Sequence, residues 1–230
     1  MKGFVFIFVG LIFISVLSAG VKAETKSMSA TKLDLGSRGQ VAKVFGKDVL
    51  MSDLNPTPEQ LKMTRQSYPK LSEEEVLTKA RSEKLSSLIW TPIMEEFGKT
   101  HRVEPTEEEI QSFAKSMNSR LKSKDVPEIS PEMGKEIYQP FVKTWKISKA
   151  LYEEYGGTVI FQQANPMEPV GAYRKLLEMH EKKGDFKIYD EKLKKQFWEY
   201  YVIGHSFQVP KEEIDFSVPW WLKKSRDAAR

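Results

Sequence analysis

Four helix-start signals between residues 57 and 132 constrain this chain more than any other feature. Thr57-Pro58-Glu59-Gln60 joins an N-cap threonine to a proline at the first helical position and a glutamine at N3. Ser72-Glu73-Glu74-Glu75 repeats the pattern, with Leu71 and Val76 placed as a hydrophobic staple, and Thr106-Glu107-Glu108-Glu109 repeats it again. Ser130-Pro131-Glu132 makes a fourth start, in which Met133 stands where the N3 acid would be. In each box the cap hydroxyl accepts from the N3 amide while the N3 side chain reaches back to the cap amide. The acids of the first turn also complement the positive end of the helix dipole. A mainly α fold is expected.

The apolar spacing extends these starts into elements. Leu77, Ala80, Leu85, Leu88, Ile89, Ile93 and Phe97 form one helical stripe that ends near Gly98. Pro92 lies inside it and predicts a kink, or a division at Thr91. A second long helix from Pro131 carries Ile137, Tyr138, Phe141, Val142, Trp145, Ala150, Leu151 and Tyr152, contains Pro140 and stops at Gly156-Gly157. Ahead of the helices, Val41–Val44 and Val49–Met51 are short β-prone runs around a tight turn at Gly46-Lys47-Asp48. Behind them, Thr158–Gln162 reads as a short strand and Asn165–Pro169 as a loop. Helices follow at Ala172–Lys183 and Glu191–Tyr201, parted by Gly184-Asp185. The tail holds Pro210, Pro219, Trp220 and Trp221. The expected organisation is a helical domain over 40–155, opened by a short β segment, and a small helical C-terminal extension over 156–230.

The first 23 residues read as a cleavable secretory signal. Lys2 is followed by the nearly unbroken apolar run Phe4–Leu17, and Val21-Lys22-Ala23 has the small-residue pattern of a cleavage site. That run is too short to span ~30 Å of hydrocarbon. With no cysteine anywhere in the chain, a lipid anchor at that site is excluded, as are disulfides, thiolate metal sites and cysteine catalysis. Residues 24–39 read as a flexible leader. Loss of Lys2 and Lys22 would lower the net charge from +4 to +2, with no block of like charge. Nucleic-acid binding therefore has no electrostatic footprint. Export is expected, to the periplasm or beyond the cell, and nothing after residue 23 approaches a transmembrane stretch.

Val41-Ala42-x-Val44-x-Gly46-x-x-Val49-x-x-x-Asp53-Leu54 resembles the opening segment of the SurA/PrsA-type periplasmic chaperone N-domain. The helix, glycine-containing break, Val103 and Pro105-Thr106-Glu107-Glu108-Glu109-Ile110 that follow are similar to the same family, and the likeness covers Gln40 to Tyr155. Phe45 departs from the asparagine common there, and Trp90-Thr91-Pro92 interrupts a helix that is usually continuous. The resemblance implies a multi-helix domain that binds unfolded or outer-membrane-directed polypeptides through apolar surface. Residues 156–230 lack the glycine-rich pattern and paired histidines of the parvulin prolyl isomerase domain, so isomerase activity is not carried over.

Chemistry is harder to find. Glu178 and His180 stand two apart and diverge on a helix, so they cannot share a metal ion, whose ligands must converge. His205 beside Ser206 lacks an orienting acid for nucleophilic work. The acidic runs sit at caps or on solvated faces, and Gly156-Gly157 lacks a phosphate-loop continuation. No cofactor or metal is expected. An enzyme would need a site assembled from dispersed residues such as Gln162, Gln163, His180 and His205. A third possibility is a dedicated assembly protein with one partner. The helical domain is rich in methionine and aromatic residues, which suit varied apolar partners. Met94, Phe113, Met117, Tyr138 and Phe141 are the expected client-binding residues. Trp220 and Trp221 cannot both face one way in regular structure, and docking of the tail onto its own domain is the expectation.

Overall fold

Three of the capping boxes fold as the sequence implies. In the computed structural model, which describes residues 39–121, 131–162, 165–202 and 207–223, Thr57 opens helix α1 (Pro58–Ser67). Its Oγ1 accepts from the Gln60 amide at 3.2 Å, and its own amide donates to Gln60 Oε1 at 2.8 Å. Ser72 and Glu75 do the same at the start of α2 (Glu73–Thr100), as do Thr106 and Glu109 before α3 (Glu107–Leu121). The fourth start gives α4 (Pro131–Tyr155), although Ser130 itself lies outside the described residues, as do residues 1–38, on which the expected signal and most of the expected leader fall. Helix α2 runs through Pro92 undivided. The proline removes one bond, to the carbonyl of Leu88, and Leu88 is exposed, while Ile89 and Ile93 on the buried face are fully enclosed. Leu88 is thus not part of the core stripe in which its spacing placed it.

The opening β segment is a hairpin of β1 (Gln40–Val44) and β2 (Lys47–Leu50), closed by Phe45-Gly46 with φ of 48° and 78°. The turn therefore lies one residue earlier than Gly46-Lys47-Asp48. Two positive φ values make a primed turn, whose twist matches the strands. A phenylalanine at the first position is strained, because its Cβ crowds the backbone in the left-handed region. A third strand, β3 (Phe186–Ile188), was not anticipated. It pairs antiparallel with β1, giving the order β2-β1-β3.

Helices α5 (Val170–Lys183) and α6 (Glu191–Val202) flank β3. Leu85, Ile89, Ile93 and Phe97 of α2 meet Leu151 of α4, Leu176 and Leu177 of α5, Phe186 and Ile188 of β3, and Leu193 and Phe197 of α6 in one core. Residues on both sides of position 156 thus share a single apolar interior, where each enclosed side chain contributes roughly 1.5–3 kcal/mol. Thr158–Gln162 forms no regular strand. Ile160 exchanges backbone bonds with Glu168 at 2.8 and 3.0 Å, and its neighbours bond to Phe207 and Val209, but these are isolated bridges. Pro169 and Pro210, which have no N–H to give, end both partner runs. At Gly171 the chain of Thr158 passes so close that a Cβ would sit 2.4 Å from the Thr158 nitrogen.

Candidate polypeptide-binding groove

Helices α3 and α4 carry a second, separate cluster. Ile110, Phe113, Ala114 and Met117 recur at helical spacing on α3, and Tyr138, Phe141, Val142 and Trp145 recur likewise on α4. Such stripes bring two helices together along one side. Phe113 is the hub, 5.6 Å from the stacked Phe141 ring and 5.5 Å from Tyr138. The margin is stitched by Lys146–Glu109 at 2.8 Å and Lys135–Glu107 at 3.0 Å, and Tyr138 donates to Asn118 Oδ1 at 3.1 Å.

Trp220 and Trp221, from far along the chain, fill the groove these helices leave. Just before them, Phe216 stacks on Tyr152 of α4 at 5.0 Å and is buried with Val159 and Met167 in a third apolar cluster outside the groove. Asp215 accepts from Ser217 and Lys223, which hold its carboxyl well below the usual range and close residues 215–223 on themselves. The Leu222 amide donates to the Pro219 carbonyl, so Trp220 and Trp221 leave an irregular turn. Their rings stand at 88° to one another, and both meet Phe113 edge-on, at 5.7 and 5.0 Å. Trp221 also meets Trp145 at 5.3 Å, and its carbonyl accepts from Ser116 Oγ at 2.8 Å. The tail therefore docks on its own domain, as expected. Trp221 is buried, yet its indole N–H has no acceptor among the described residues. A buried donor left unpaired costs about 1–3 kcal/mol.

The five expected client-binding residues are distributed unevenly. Met94 belongs to the main core on α2, away from this groove. Phe113 and Tyr138 are buried, at 2% and 4% exposure, while Met117 and Phe141 are half-buried at the groove margin. Met94, Phe113 and Tyr138 are thus not surface residues. Periodicity marks an apolar face, but it does not reveal that another part of the same chain covers it. Trp145 and Trp221 were missed as groove residues, and the Pro219-Trp220-Trp221 run was the available signal. Beside the groove, Ile137 and Pro140 line an open depression of about 560 Å3 with Glu136, Gln139 and Lys143.

The polar groups converge elsewhere. Tyr200 donates to Glu168 Oε1 at 2.7 Å, the Tyr173 and Ser148 hydroxyls lie 2.6 Å apart, and Asn165 donates to Ser148 at 3.2 Å. Desolvation pushes the Glu168 carboxyl up to about 7, against the opposing bond from Tyr200. Burial likewise drives the Tyr173, Tyr200 and Tyr201 hydroxyls far above their usual value. Ser148 and Tyr173 are enclosed, so a substrate cannot reach their oxygens, and the network ties α4, α5 and α6 to the 160–168 bridge. His180 pairs with Asp185 at 2.7 Å, joined by Lys183 at 3.1 Å, and the Asp185 carbonyl accepts from the Phe45 amide. That arrangement anchors the hairpin turn. Gln163 and His205 lie outside the described residues. Among the described residues, no group of three or more His, Asp or Glu is placed to hold a metal ion, and no helix is long and apolar enough to cross a membrane. Compared with protein-family models, curated proteins and solved structures, the chain matches none.

Proposed function

We propose that this protein is an exported, non-catalytic binder of unfolded or assembling polypeptides, which it takes up in the groove between α3 and α4. The reading rests on one observation: an aromatic groove, separate from the main core, that accepts an irregular apolar segment from far along the chain. Apolar burial is worth ~25 cal/mol per Å2, so ~400 Å2 of groove supplies up to ~10 kcal/mol gross. Ordering and immobilisation remove much of that, leaving the weak, reversible grip that release without ATP requires. The resemblance to the SurA/PrsA-type N-domain points the same way.

The test is suppression of aggregation of an unfolded outer-membrane protein, with the substitutions chosen by exposure. Phe113→Ser would open the α3–α4 core and confuse unfolding with loss of function, so Met117→Ser/Phe141→Ser at the margin is the better variant. Slower aggregation with wild type at several-fold molar excess, weakened in the margin variant at equal helical content, is expected. Aggregation unchanged by wild type would overturn the reading. Secretion is tested separately, by sequencing the mature N-terminus, expected at Glu24.

A further inference from the structure

We infer that Trp220 and Trp221, carried on the 215–223 loop, are a resident, displaceable occupant of the α3–α4 groove. In trans, the groove would then take polypeptide segments that present adjacent aromatic side chains from a proline-led turn. The inference deepens the proposed binding role and rests on it. The bound segment is visible: Pro219 sets the turn, and the Trp220 and Trp221 rings, 5.7 Å apart and at 88° to one another, meet the Phe113 ring side by side. Its fold is largely its own. Lys223 bonds the Asp215 carbonyl at 2.7 Å and the Asp215 carboxylate at 2.9 Å, within the segment rather than to the groove. A preorganised turn loses little freedom on docking, and the tryptophan turn can lift from the groove while Phe216 stays in its own cluster.

Two features argue against a permanent core element. The Trp221 indole N–H is buried without an acceptor among the described residues, a defect that an incoming segment with a better-placed partner would not share. Val218 and Leu222 on either side of the tryptophans point to solvent rather than into the protein. The tail thus acts as an intramolecular competitor. The apparent affinity of the groove for any other segment is its intrinsic affinity multiplied by the fraction of molecules in which the tail has left.

The probe is a labelled synthetic peptide of residues 215–223, with binding followed by fluorescence anisotropy on the full chain. Trp220→Ser/Trp221→Ser should bind the peptide roughly ten-fold or more tightly than wild type. A peptide with both tryptophans replaced by serine should bind neither. Lys223→Ala leaves the groove intact and loosens only the resident loop, so it should tighten peptide binding about two- to five-fold, the range for an exposed ion pair. Circular dichroism reports helical content throughout. Equal peptide affinity in wild type and both variants overturns the inference. So does loss of helix in the double variant while Lys223→Ala stays folded with unchanged affinity. Peptide binding that responds to the tail, with aggregation of unfolded chains unhindered, sinks the chaperone reading alone. Aggregation suppressed without any tail effect sinks this inference alone.

Discussion

Replacing Glu168 by glutamine should remove most of a pH dependence built into the fold. Glu168 pairs its backbone with Ile160 and accepts from Tyr200, so it joins the 160–168 bridge to α6. Its carboxyl is desolvated there and titrates at about 7, against a usual 4.5. The folded state therefore holds the proton more tightly than the unfolded chain. The resulting stability is fully present below the unfolded value near 4.5, and it is lost as pH rises through about 7. Between about pH 5 and pH 8 the linkage relation gives a loss of about 2.5 kcal/mol, an upper figure because the residue is partly exposed. The Glu168→Gln side chain keeps an acceptor for Tyr200 and carries no charge, so the variant's stability should lack this slope. Urea unfolding of both chains at the two pH values measures it, and the difference cancels the contributions of every group common to both. Parallel pH profiles would refute the argument. So would a variant that falls more steeply than wild type.

Three further substitutions test the fold. Phe45→Asn should raise stability by about 1 kcal/mol in urea unfolding, because asparagine tolerates the φ of 48° and keeps the amide bonded to Asp185; a lower midpoint would show that the Phe45 ring contributes more than the strain removes. Gly171→Ala should cost about 2 kcal/mol or more, since its Cβ meets the Thr158 backbone nitrogen at 2.4 Å, and an unchanged melting temperature would contradict that close crossing. Pro92→Ala should stabilise by about 2 kcal/mol, the helix-interior penalty of proline less the unfolded-state entropy it removes. A loss of stability there would mean that the proline ring's packing outweighs the missing bond.

The helix starts were legible because their chemistry is local. Thr57 and Gln60, Ser72 and Glu75, and Thr106 and Glu109 satisfy one another three residues apart, so the pattern carries its own geometry. The stops of α4 at Gly156 and of α5 at Gly184 were legible for the same reason. The hairpin was visible in its β-branched residues, though its turn is placed by pairing with β3 as much as by Gly46. Strand β3 was not visible, since three residues such as Phe186-Lys187-Ile188 become a strand only when β1 lies beside them. Exposure was the larger gap. Phe113 and Phe141 carry the same signal on an apolar stripe, and only the docked tail separates a buried hub from a half-buried margin. The decisive contacts join distant positions: Ser116 to Trp221, 105 residues apart, and Glu168 to Tyr200, 32 apart. A side chain's burial, and with it the titration of Glu168 or the availability of a groove, is set by what packs against it. That partner is chosen by the folded chain as a whole, not by the residues on either side.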